Sequence, residues 1–459
     1  MILLCFSFLR IFVLHLNNNF LGPVMNFSLN MRYLLKVSQL VIPFGLLVAA
    51  SLPANAVTLQ EAIKDMLANN PDVQAARQEM LAREHEIRGA KAGYLPTLNA
   101  EAGIGREWTR SRATNNVGTT LTREEAALRL RQTVYDGGAT GDEVDRQKAR
   151  YKSALFTAID TQENAALRAS QAYVNVLRHA ELLALLKESL DEHQTIFDQM
   201  SLREQRGVGS QADVDQITVR LSLATSNFIA GKNNFLDALS QFQGLVGYIP
   251  DASLMSAPVG LVLPATLDES LNTAFAKHPT IKSATADVEA TEAQYEASKS
   301  KAHPKLTIEG DRTWNEDIDG IEGDNEDWVI ALRLKYNLYN GGKDSARRKQ
   351  TAELITKAKD VLRGAQWETE EGMRLSWYAY EATQQQLSHL ERHVTSVEAT
   401  KKAYVQQYDI GRRTLLDLLN TESELIRAKQ TYTNTKFDQL YSQIRVLNSS
   451  GQLTEALGF

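Results

Sequence analysis

The sequence predicts a mixed, mainly α fold. Long antiparallel helices are joined by four β-strands, too few for one chain to close into a barrel. Three observations predict it. Two stretches of about 65 residues lack proline and carry helical periodicity. Four segments alternate apolar and polar residues with period two. The whole pattern occurs twice.

The duplication is read from ordered blocks. Leu59-x-Glu61 with Asn70-Pro71 returns as Leu267-x-Glu269 with His278-Pro279, and Pro96-x-Leu98 with Glu101 returns as Pro304-x-Leu306 with Glu309, each 208 residues later. Val134-Tyr135-Asp136-Gly137-Gly138 returns as Leu338-Tyr339-Asn340-Gly341-Gly342 after 204 residues. Gly207-x-x-Ser210-x-x-Asp213 returns as Gly411-x-x-Thr414-x-x-Asp417 at the same shift. The chain therefore divides into a first repeat, 57–248, a linker, 249–266, and a second repeat, 267–459.

Each repeat has the order helix, two strands, long helix, turn, helix. Residues 59–93 read as one helix, N-capped by Thr58 and ended by Pro96. Leu98, Ala100, Ala102 and Ile104 then alternate with polar residues, as do Ala126, Leu128, Leu130 and Val134 after a polar loop. In the second repeat Leu306, Ile308 and Gly310, then Trp328 through Leu338, do the same, with Arg333, Lys335 and Asn337 on the opposite face. The segments 138–206 and 342–410 would each run roughly 100 Å if continuous. Both carry a 3-4 apolar seam of the coiled-coil type. Leu183, Leu186, Leu190, Phe197 and Met200 form one, with His179 and His193 as polar members. Leu387, Leu390, Val394, Val397 and Tyr404 form the other, interrupted by Lys401. Shorter helices return over 211–245 and 412–447.

The first 56 residues read as an N-terminal extension and a cleaved export signal. Arg32 and Lys36 precede an apolar run, followed by Ala54-Asn55-Ala56. Cleavage removes Arg10, Arg32, Lys36 and the only cysteine, Cys5, and no acid, so the mature charge is 47 − 56 = −9. That excludes disulfides and thiolate chemistry, and it disfavours nucleic-acid partners. No later segment is apolar enough to span a bilayer as a helix, so membrane entry requires a β-barrel. Small membrane barrels need at least about eight strands. Four strands per chain therefore imply a shared wall, and three copies would supply twelve strands, with the helices continuing the cylinder into the periplasm.

The chain resembles the outer membrane efflux protein family of TolC-like channel-tunnels. The carriers are the duplicated layout, the paired strand ends Tyr135–Gly138 and Tyr339–Gly342, and the block from Tyr408 through Gly411, Arg413 and Asp417 to Asn420. The tail from Val446 to Gly458 is similar to the branch serving type I secretion. The resemblance implies a homotrimer in outer-membrane lipid that takes cargo from an inner-membrane ABC transporter through a periplasmic adaptor, with no cofactor and no catalysis. It also implies a periplasmic gate at the turns of Gly207 and Gly411. Tyr408 and Arg413 would help hold it shut, with Asp213 as partner. Asp417 would form an acidic selectivity ring. The second acidic position of the family pattern is Asn420 here, which halves the ring charge.

Other readings compete. A multidrug or heavy-metal duct with a proton-driven pump fits the same architecture. A periplasmic coiled-coil adaptor would use the hairpins for packing instead. The acidic segment 315–327 does not match a calcium loop and reads as a solvated extracellular loop, attracted to Arg106, Arg110, Arg112 and Arg123 of the other hairpin. His389 and His393 are four apart but lack a third metal ligand. No phosphate-binding glycine loop is present, so ATP hydrolysis belongs to a partner.

Overall fold

The computed structural model describes residues 58–251, 255–258 and 260–459, so the export-signal reading lies outside the described residues. Both repeats belong to one compact unit. The first repeat contains α1 (Leu59–Asn69), α2 (Pro71–Lys91), β1 (Thr97–Thr109), β2 (Thr119–Tyr135), α3 (Ala139–Gln205) and α4 (Gln211–Val246). The second contains α5 (Leu267–Lys277), α6 (Pro279–Lys299), β3 (Lys305–Glu316), β4 (Asp324–Lys335), α7 (Lys343–Asp409) and α8 (Leu415–Ser449), followed by the short α9 (Leu453–Ala456).

The long helices fall where the periodicity places them, each with 67 residues. The expected single helix over 59–93 is instead two. Asn70 before Pro71 takes ψ 123°, because a residue preceding proline is driven out of the α region. Its carboxamide oxygen then caps α2 by accepting from Asp72 N and Val73 N. His278-Pro279 makes the same break in the second repeat, with His278 Nδ1 accepting from Thr280 N. Thr58 and Glu61 form a reciprocal capping box at the start of α1. The strand reading through Leu338 overshoots, since β4 ends at Lys335. Asp136-Gly137-Gly138 closes the step from β2 into α3 because both glycines have positive φ, 72° and 91°. A side chain at Gly137 would also strike His303 Cβ at 2.6 Å.

The four strands form one antiparallel sheet in the order β1-β2-β3-β4. Its central pair, β2 with β3, joins the two repeats. The main core lies away from this sheet. There α1 folds over α3 and α4, in a cluster that buries Leu59, Ile63, Met66, Tyr173 and Phe242 with Ile444 of α8. The linker passes over this core, where Tyr173 Oη donates to Ser256 O at 2.7 Å. A smaller equivalent places Leu271 and Ala274 of α5 against Met373, Trp377 and Val446. Glu163 of α3 anchors the tail by accepting from Leu453 N and Thr454 N, each at 3.0 Å.

Polar ties at heptad spacing bind α8 to its neighbours. Lys436 pairs with Glu181 at 2.8 Å, and Lys429 pairs with Glu188 at 3.5 Å and Glu398 at 3.2 Å. One heptad nearer the turn is Glu422. Lys401 sits between it and Glu192, with N···O distances of 2.6 and 2.5 Å. The Lys401 side chain is 19% exposed and that of Glu422 only 5%. Lys401 thus enters the apolar seam as the cation that joins α3, α7 and α8.

Candidate channel wall and helix turns

The sheet has two chemically different faces, and the chain covers neither. On one, Leu98 pairs laterally with Leu130, and Ile308 with Leu332. Leu98 and Trp328 are each 68% exposed and Ile330 is 73% exposed. A monomer in water would not leave so many large apolar side chains side by side. On the other face a charged ladder crosses all four strands. Arg129 meets Glu101 at 2.6 Å and Asp311 at 3.8 Å, while Glu309 takes Arg131 at 3.2 Å and Arg333 at 2.7 Å. The pleat makes this separation inevitable once the pattern has period two. One face suits hydrocarbon and the other suits water. The outer edges of β1 and β4 have no strand partner within the described residues.

The hairpin ends differ from the sequence reading. Glu316, Asp324, Glu326 and Asp327 lie in β3 and β4, leaving a shorter loop between. Arg123 pairs with Glu107 and Glu125 of its own hairpin. Between the hairpin ends Asp319 N donates to Glu107 Oε2 at 3.3 Å, and the Asp319 charge acts on Arg123 as the sequence expects of that arginine.

At the opposite end of the long helices the two turns share one construction. Gly207 and Gly411 take φ 71° and 74°. In the first, Gly207 N donates to Glu204 O and Val208 N to Arg203 O; in the second, Gly411 N donates to Tyr408 O and Arg412 N to Gln407 O. These are Schellman closures, which need a left-handed residue after the helix. Ser210 caps α4, and Thr414 with Asp417 forms a capping box on α8. Backbone and hydroxyl hydrogen bonds from Thr414 hold the Asp417 carboxyl below its ordinary range.

Tyr408 reaches back to the first repeat. Its hydroxyl accepts from Arg203 at 3.2 Å and contacts Met200 Sδ at 3.3 Å. It packs beside Ile196, Met200, Ile217, Leu415 and Leu419. Burial raises the Tyr408 hydroxyl above its ordinary value, opposed by the Arg203 charge. Arg413 lies over the Tyr404 ring at 4.2 Å and donates to Gln407 Oε1 at 3.1 Å. Within the protomer no ion pair joins Arg413 to Asp213 among the described residues; its nearest carboxylate is Asp417, at 4.0 Å. Asn420 accepts from Arg220 of α4 at 3.1 Å. Sequence reasoning missed Arg203 and Arg220, whose partners lie about 200 positions away. Among the described residues no three His, Cys, Asp or Glu converge on a metal position.

The family model for outer membrane efflux proteins matches residues 62–248 and 270–452. The chain belongs to that family. Outer membrane efflux protein BepC of Brucella suis biovar 1 is 22% identical over 398 residues, covering 86% of each chain. Alkaline protease secretion protein AprF of Pseudomonas aeruginosa is 24% identical over 417 residues, covering 85% of this chain and 83% of its own. The solved structure of VceC from Vibrio cholerae superposes with a TM-score of 0.74 at 16% identity, covering 87% of this chain and 96% of that one. As a family member the chain is an outer-membrane efflux channel with its helical part in the periplasm, a passive duct and not an enzyme. No described helix is long and apolar enough to cross a membrane.

Proposed function

We propose that the chain is the exit duct of a tripartite export system and works as a homotrimer. The observation that carries this is the sheet, with one apolar face, one charged face and both outer edges unpaired. Lipid tolerates no open sheet edge, so β4 of one copy must pair with β1 of the next. Three copies give a twelve-stranded barrel whose charged ladder faces water. A periplasmic adaptor and an inner-membrane transporter complete the path. Purification in detergent tests the assembly. A particle of three-chain mass that conducts in planar bilayers is expected, and a soluble single-chain species would refute it.

We assign the cargo route to type I protein secretion with an ABC transporter. The likeness to a protease secretion protein along most of the chain supports this. The likeness to the efflux protein BepC supports the second reading, a multidrug or heavy-metal duct. Crosslinking in cells, followed by identification of the inner-membrane partner, separates them: an ATP-binding transporter supports secretion, and a proton-driven pump supports efflux.

The turns of Gly207 and Gly411 form the gate in this reading. Tyr408 is held by Arg203 and the apolar cluster, and Arg413, posed over Tyr404, meets Asp213 of a neighbouring copy. Breaking such charge-assisted bonds opens an aperture without refolding the helices. Asp417 lines the aperture, with Asn420 one turn further along α8.

A further inference from the structure

The face of α8 that carries Asp417 continues through Asn420, Glu424, Arg427 and Thr431, spaced three and four residues apart and therefore on one side of the helix. This side lies opposite the one bearing Glu422, Lys429 and Lys436. From Asn420 onward this side, together with His393 of α7 and Arg220 of α4, lines an open groove of about 660 Å³. Two guanidinium groups enter this groove. Arg220 is oriented by Asn420 Oδ1, and Arg427 stands seven residues beyond Asn420. Neither has an ion-pair partner among the described residues. Glu424 is the one carboxylate lining the groove.

We propose that Arg220 and Arg427 form an anion-attracting collar directly beyond the Asp417 ring, so that the duct admits carboxylate- or phosphate-bearing cargo. This inference rests on the channel reading above. Per copy the two arginines balance Asp417 and Glu424, and a neutral asparagine stands between them. Asn420 therefore does more than dilute the acidic ring. A carboxylate there would neutralise Arg220, whereas the carboxamide positions the guanidinium by one hydrogen bond and leaves its charge available to an arriving anion. Rings of charged side chains decide which ions enter a pore. A collar of six guanidiniums in three copies would oppose an acidic entrance and remove strong cation preference.

The test uses the full-length trimer in planar bilayers, with a potassium chloride gradient and inorganic tripolyphosphate added on the periplasmic side. The native channel is expected to show a cation-to-anion permeability ratio within about twofold of unity. Tripolyphosphate should reduce its current. The double variant Arg220→Gln/Arg427→Gln should raise the ratio by at least about fivefold and abolish the tripolyphosphate effect. Asn420→Asp should move both readouts the same way by a smaller amount. Strong native cation selectivity, or a double variant that conducts with unchanged selectivity and block, would overturn the collar. An assembled trimer that carries no current in any variant would overturn the channel reading itself, a separate result.

Discussion

Lys401→Met leaves Glu192 and Glu422 facing each other without the ammonium that lies 2.5 and 2.6 Å from them. Removing one member of a buried ionic cluster costs about 3–5 kcal/mol, because the remaining charge keeps its desolvation penalty. Unfolding entropy is about 2.1 cal/mol/K per residue, so for a chain of this length the loss corresponds to a fall in Tm of about 3–5 °C. The effect should depend on pH. Burial, with Glu192 adding to it, pushes the Glu422 carboxyl up to about 7 despite the opposing Lys401. Burial alone would lower Lys401, but the two carboxylates outweigh it and raise it. A carboxyl raised in the folded state favours folding most in acid and loses that contribution as pH climbs through its folded value. The penalty of Lys401→Met should therefore be largest at pH 8 and shrink by pH 5, where Glu422 accepts a proton. Thermal melting of the detergent-solubilised protein, followed by circular dichroism at both pH values, reads this, with Lys401→Arg as the charge-preserving comparison. A melting point unchanged at pH 8, or a penalty equal at the two pH values, would refute the reasoning.

Arg413→Ala or Asp213→Ala should raise single-channel conductance; conductance unchanged from the native channel in both would remove the gate assignment. Asp417→Ala should shift the reversal potential toward anions, and no shift would mean that the carboxylate serves only to cap α8. Gly411→Ala should cost about 1 kcal/mol at the left-handed closure, seen as a small fall in melting temperature. Trp328→Arg on the apolar sheet face should cost about 2–4 kcal/mol of membrane stability, reducing the folded, heat-modifiable form on gels.

Much of this architecture is legible in the residues alone, because repetition and periodicity are one-dimensional signals. The bounds of α3 and α7 follow from helical patterning between a Gly-Gly pair and a turn glycine. The strands follow from alternation, and their two faces follow with them. What stays hidden is long-range pairing. Lys401 is visible as a polar intruder in a seam, but Glu192 and Glu422 are identified only by packing three helices together. Asn420 is visible as a missing charge, whereas Arg220, 200 positions earlier, is not. The break at Asn70-Pro71 is a local signal outweighed in the sequence reading by the helical pattern on both sides.

The central pairing of β2 with β3 means that the proposed cylinder is stitched by two unlike kinds of seam. Of the six seams between hairpins, three are β2–β3 pairings internal to a polypeptide and survive dilution. The other three, where β4 meets a neighbour's β1, come into being only by encounter and scale with concentration. An isolated hairpin supplied in excess as a peptide would compete at these second seams alone, stalling growth of the wall while every subunit remained correctly folded.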